Sequence, residues 1–194
     1  MAAPLPTRIT PEQYLESERK ATVRHEYWLG EIIAMSGATR THEVICSNLS
    51  KFTQIRLGDR DCQVYGSNMK VGVTKKRGFS YPDITIACAE QRFFDEVEDV
   101  LMNPVVIFEV VSDSTLHLDI GPKLGEYLRM ESLRHYITIE QKIRIVNHWE
   151  RAGDRWMFET LDEEQRVLRL AAIDIELPLT EIYRRVALPE IFLG

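Results

Sequence analysis

The chain predicts a single α/β domain whose core runs helix, three strands, helix, strand. Three observations carry that expectation. A helical pattern from Thr41 or His42 to about Leu57 places Ile45, Leu49, Phe52 and the Arg56 stem on one face. Three segments rich in β-branched residues follow, at about Cys62 to Val73, Pro82 to Cys88 and Val105 to Ser112. A second helical stretch, Asp119 to Met130, then leads into the strand-like run His135 to Glu140.

The elements can be justified in chain order. Thr10, Pro11 and Gln13 open a helix as N-cap, first helical residue and capping-box partner, and the helix is expected to run to about Ala21. Arg24 to Met35 reads as a hairpin with Leu29-Gly30 at its turn. Ser36 to Thr41 is a loop of small residues, and Gly58 stops the long helix. Thr74 to Gly78 is a basic turn, and Ala89 to Asn103 is an acidic connection with room for a short helix. The later helix is entered through Gly121-Pro122. Ile143 to Glu150, Trp156 to Leu161 and Arg166 to Leu170, separated by tight polar turns, form a meander, and Thr180 to Val186 is a last short helix. The core is thus expected at about 41–140, with an N-terminal helix and hairpin over 10–36 and a C-terminal meander over 143–186.

With 24 basic and 30 acidic residues the net charge is −6, which gives no support to bulk electrostatic binding of nucleic acid. A local basic groove is compatible with that total. The three cysteines, Cys46, Cys62 and Cys88, form no C-x-x-C pair, so neither a zinc site nor a disulfide framework is expected. A reduced, cytoplasmic setting follows. The start lacks a basic region followed by a long apolar core, and no run is long enough to span a membrane.

Chemistry is expected where acids interrupt apolar strands. Asp83 opens the run Ile84-Thr85-Ile86-Ala87, and Glu109 interrupts Val105-Val106-Ile107-Phe108 and Val110-Val111. An ionised carboxylate in such a setting costs several kcal/mol unless compensated, by a metal ion or by an ion pair. In neighbouring strands the two acids can hold one hard cation such as Mg²⁺, which needs only one or two carboxylates. Asp119, Lys123 and Tyr127 stand at i, i+4 and i+8, a polar stripe able to look back over the strand ends.

The ordered set Met35-Ser36-Gly37-Ala38, His42, Tyr81-Pro82-Asp83, Glu109-Val110-Val111-Ser112-Asp113-Ser114-Thr115, Asp119, Lys123 and Tyr127 resembles the Uma-type branch of the PD-(D/E)XK nuclease superfamily. The resemblance covers about Glu26 to Arg151. It implies a restriction-endonuclease-like core with a mixed central sheet, and an endonuclease that hydrolyses DNA with Mg²⁺ or Mn²⁺. Asp83 and Glu109 would hold the metal. Lys123 would take the place of the superfamily lysine, because Val111 stands where that lysine usually lies. Tyr127 would assist, since Lys123-x-x-x-Tyr127 is similar to the Gln-x-x-x-Tyr motif of exonuclease-type relatives. Glu26, His42 and Asp119 are candidate supporting groups, and a homodimer would suit cutting of two strands.

Plainer readings stand beside each of these. Asp83 can cap a turn, Glu109 can pair with a buried cation, and Lys123 with Asp119 can be an ordinary helix pair. Tyr127 can be a core aromatic, His42 a neutral hydrogen-bonding group, and Glu26 part of a solvated face. Lys75-Lys76-Arg77 can touch a nucleic-acid backbone or form a solvated turn. Trp149, Trp156 and Phe158 suit the core or an oligomer surface. Ser112, Ser114 and Thr115 lack a nucleophile elbow. A nuclease-fold binding or assembly protein without catalysis is the alternative function. A two-carboxylate glycosidase is disfavoured by the lack of an aromatic sugar platform.

Overall fold

The computed structural model describes residues 9–35, 37–74, 77–111, 121–163 and 165–188, with the side chains of 74 and 122 excepted. Asp119, Lys75, Lys76, Ser112, Ser114 and Thr115 lie outside these residues. Helix α1 (Pro11–Glu18) begins as its sequence predicts: Gln13 N–H donates to Thr10 Oγ1 at 3.3 Å, and Thr10 N–H donates to Gln13 Oε1 at 2.9 Å. It ends three residues earlier than expected. Strands β1 (His25–Trp28) and β2 (Glu31–Ala34) form the predicted hairpin, with Leu29 at φ 52° and Gly30 at φ 99° making its turn.

Helix α2 (Arg40–Leu57) is capped by Thr39 and stopped at Gly58, φ 55°. Ile45, Leu49 and Phe52 are buried on its inner face. The segment expected as one strand from Cys62 to Val73 is two, β3 (Cys62–Gly66) and β4 (Lys70–Thr74), which enter different sheets. Gly66 to Met69 closes a turn between them, with Met69 N–H donating to the Gly66 carbonyl.

The remaining strands are β5 (Gly78–Ser80), β6 (Ile84–Cys88), β7 (Val100–Leu101), β8 (Val106–Val111), β9 (His135–Glu140), β10 (Val146–Ala152), β11 (Arg155–Leu161), β12 (Val167–Leu170) and β13 (Ile175–Pro178). One sheet has the order β2-β1-β5-β4-β7, and the larger has β11-β10-β9-β8-β6-β3. The larger is mixed: β8 runs antiparallel to β6 and parallel to β9. All six residues of β8 are buried. Val106, Phe108 and Val110 join the α2 core, while Ile107 joins Tyr127 and Tyr136 on the opposite face. This is the alternation expected of a strand covered on both sides.

Four further expectations are corrected. No helix forms in the described connection 89–103; left-handed backbone at Ala89 and Glu98 breaks it, and β7 pairs with β4 instead. Helix α3 (Pro122–Tyr127) ends three residues before Met130, with Gly125 inside it lowering helix propensity. The meander closes after β11, because β12 turns through a 3₁₀ segment, Ala171–Ile173, to pair with β13 rather than with β11. Finally, Cys62 and Cys88 face each other across β3 and β6 and are joined by a disulfide, a partnership their 26-residue separation conceals. Helix α4 (Leu179–Ile182) follows Pro178 as expected but ends four residues before Val186. Among the described residues no helix is long and apolar enough to cross a membrane.

Two features have measurable consequences. A Cβ at Gly78 would lie 2.5 Å from the Trp28 ring, so Gly78→Ala should cost about 1–3 kcal/mol, read as a lower urea midpoint. Behind β9, Ala172 N–H donates to His135 Nε2 at 3.1 Å, so His135 Nδ1 carries the proton it gives to His148 Nε2 at 2.9 Å. Burial, with the nearby His148 and Arg134, lowers the His135 pKa from 6.5 to about 3. As pH falls below the unfolded value, the unfolded chain takes a proton that the folded chain refuses, so stability is lost on acidification. The thermal midpoint should therefore fall between about pH 6.5 and about pH 3, and less steeply in His135→Gln.

Candidate active site

The site forms where β6 begins and β8 nears its end, beside α2, α3 and β1. The β6–β8 ladder pairs Ile84 with Phe108, so Asp83 and Glu109 are the next residues on their two chains. Asp83 lies just before β6. Its Oδ2 accepts from Val110 N–H at 2.7 Å, and its Oδ1 is 3.0 Å from His42 Nε2. Thus β8 and the first turn of α2 hold the two oxygens of one carboxylate. Burial pulls the His42 pKa down, but the hydrogen bond and charge of Asp83, with Glu43 adding, outweigh it and raise it overall.

Glu109 is only 5 % exposed, in the middle of the sheet. Lys123 Nζ is 3.0 Å from Glu109 Oε1 and 3.1 Å from Glu26 Oε1. The lysine reaches them from α3, not from the strand, so Val111 at 1 % exposure stays apolar core. Glu26 is therefore not on a solvated face. Its Oε1 also accepts from Tyr81 N–H at 3.2 Å, and its Oε2 from Trp28 Nε1–H at 3.1 Å.

Tyr127 is fully buried, and burial together with the Glu109 charge raises its pKa well above the phenol range. It therefore stays a donor, to Glu109 Oε1 at 3.2 Å. Having one hydrogen, it must accept from Ser80 Oγ–H at 2.6 Å. Trp28 meets the Tyr127 ring edge to face at a centroid distance of 6.0 Å.

The structure thus joins Glu109, Lys123, Glu26 and Tyr127 in one set of contacts and Asp83 with His42 in another, the two linked by the β6–β8 register and the Val110 N–H. Sequence reading missed Ser80, which orients Tyr127, and Cys46, whose sulfur is 3.6 Å from His42 Nδ1. The i, i+4 spacing of His42 and Cys46 on a predicted helix was the available signal for the latter. No local pattern marks Ser80. In the basic turn, Arg77 Nε lies 3.0 Å from Glu126.

A family model described as Uma2, putative restriction endonuclease, matches residues 11–180. The chain is 31% identical over 168 residues to the uncharacterized protein sll1609 of Synechocystis sp. (strain ATCC 27184 / PCC 6803 / Kazusa), covering 86% of this chain and 95% of that protein. It is 27% identical over 187 residues to slr1290 of the same organism, also uncharacterized, covering 96% of each. Its fold is similar to the crystal structure of a putative nuclease belonging to DUF820 from Anabaena variabilis ATCC 29413, with TM-score 0.72 and 15% identity over 90% of this chain and 97% of that one.

Tyr127→Phe removes a buried donor from Glu109 and leaves Ser80 without its acceptor. It should lower stability by about 1–3 kcal/mol in chemical denaturation, and adding Ser80→Ala should cost less than the sum of the two single changes.

Proposed function

Because the chain belongs to the Uma2 family of putative restriction endonucleases, we propose that it is a metal-dependent endonuclease acting on DNA, with Asp83, Glu109 and Lys123 at its centre. The observation that carries this reading is the charge composition of the site. The carboxylates of Glu109 and Glu26 meet at the ammonium of Lys123, and that of Asp83, the residue beside Glu109 in the β6–β8 register, meets the ring of His42. Partly buried carboxylates in such excess favour a divalent cation. Asp83 and Glu109, next to each other in the β6–β8 register, offer the hard oxygen donors that suit Mg²⁺ or Mn²⁺.

Such an ion supplies Lewis-acid polarisation of a phosphodiester and a lower pKa for water bound to it. The chain's own groups do the rest. Val110 N–H fixes the rotation of the Asp83 carboxylate. Tyr127 and Lys123 hold Glu109, and Glu26 holds Lys123 as well. The lysine thereby offers a fixed positive charge to an attacking water or to a non-bridging phosphate oxygen, the task its superfamily counterpart performs from the strand. The reading includes a homodimer, for which edge strand β11 offers exposed Met157 and Phe158.

Val111 favours one second reading, a nuclease-fold binding protein without catalysis, since the superfamily lysine position is filled by buried apolar side chain. Cleavage decides between them. Supercoiled and linear DNA incubated with Mg²⁺ or Mn²⁺ should be cut by the wild type. Asp83→Asn, Glu109→Gln and Lys123→Met should each reduce the rate by about a hundredfold or more. Cutting that survives Asp83→Asn would remove the site assignment, and absence of cutting with intact metal binding would favour the second reading.

A further inference from the structure

Beside the carboxylate pair lies a donor set of different chemistry. His42, Cys46 and Asp83 each offer a ligand atom, and these atoms all lie within 4.8 Å of one another. His42 and Cys46 stand one turn apart on α2 and present their side chains together. His42 Nε2 is 3.0 Å from Asp83 Oδ1 and 4.0 Å from Cys46 Sγ, while His42 Nδ1 is 3.6 Å from Cys46 Sγ and 3.7 Å from Glu43 Oε1. Around a tetrahedral Zn²⁺, the usual metal–nitrogen, metal–oxygen and metal–sulfur lengths put N···O and N···S separations at roughly 3.3–3.6 Å. The N···O pair would open and the Nε2···Sγ pair would close, each by roughly half an ångström or less, with Cys46 Sγ drawn in from within 4.8 Å of the Asp83 carboxylate.

We propose that His42, Cys46 and Asp83 form a binding site for a thiophilic divalent cation of the Zn²⁺ class. Thiolate and imidazole ligands select such ions over Mg²⁺, which prefers oxygen. Three protein ligands leave a fourth position for water, the composition of an open rather than a closed zinc site. On binding, the Cys46 sulfur forms the metal bond and its thiol proton goes to solvent. The hydrogen bond between His42 and Asp83 gives way to two bonds to the ion.

The site shares Asp83 with the Asp83–Glu109 pair. A thiophilic ion held by His42 and Cys46 draws Asp83 away from the hard cation and so inhibits cleavage. This inhibition rests on the nuclease reading; the site itself does not.

Cobalt(II) spectroscopy tests the site without any need for activity. Co²⁺ added to the intact chain should give a near-ultraviolet thiolate-to-cobalt charge-transfer band and the intense visible bands of tetrahedral cobalt, both abolished by an excess of Zn²⁺. Cys46→Ser and Cys46→Ala should each abolish the charge-transfer band, and Cys46→Ser should weaken Zn²⁺ binding by at least about tenfold. No band in the wild type at saturating Co²⁺ overturns the proposal. So does a band that survives both Cys46 variants, because its sulfur ligand would then not be Cys46. A parallel cleavage assay separates the two readings. Zn²⁺ inhibition that is relieved in Cys46→Ser supports the shared Asp83, while a cobalt band in a protein that never cuts DNA refutes the nuclease reading and leaves the cation site standing.

Discussion

A single carboxylate, that of Glu109, sets the terms on which the surrounding structure is built. Strand β8 is buried along its whole length, between β6 and β9 within the sheet and between two cores on its faces. A charge there costs several kcal/mol unless its oxygens are satisfied. Each element that reaches this carboxylate then needs its own support. Lys123 comes from α3 and is held by Glu26 as well. Glu26 comes from the β1–β2 hairpin and is held by Trp28 and the Tyr81 backbone. Tyr127 is set by Ser80 at the end of β5.

This dependence explains why the smaller sheet exists where it does. Strands β1 and β5 pair through Tyr27 with Phe79 and Trp28 with Gly78, which places Glu26 and Ser80 on the same side of the site. Gly78 has no side chain, so Trp28 can lie against it and meet Tyr127 edge on. The N-terminal hairpin is therefore a support for the chemistry of β8, joined to it through a lysine from a third element.

The sequence made the acids and the core order legible because both are local patterns. An acid inside a β-branched run, a capping box at Thr10 and a Gly stop at position 58 are each written in neighbouring residues, and each appears in the structure. What stayed hidden depends on pairing across distance. Ser80 finds Tyr127 over 47 residues, Cys62 finds Cys88 through a strand register, and β12 chooses β13 over β11 through a 3₁₀ turn. Glu26 is the instructive intermediate. Its alternating strand was visible, but its inward direction depends on which strand β1 joins, and that partner, β5, is only three residues long.

The central claim is that the carboxylates gathered around Lys123 and His42 form a hard-cation site. Electron paramagnetic resonance of Mn²⁺ tests it directly, because the sharp spectrum of the free aqueous ion fades as it binds. Titration into the wild type should deplete that signal saturably, with Mg²⁺ competing, and Asp83→Asn or Glu109→Gln should restore most of it. An undiminished free-ion spectrum in the wild type, or depletion unchanged in both variants, would contradict the account.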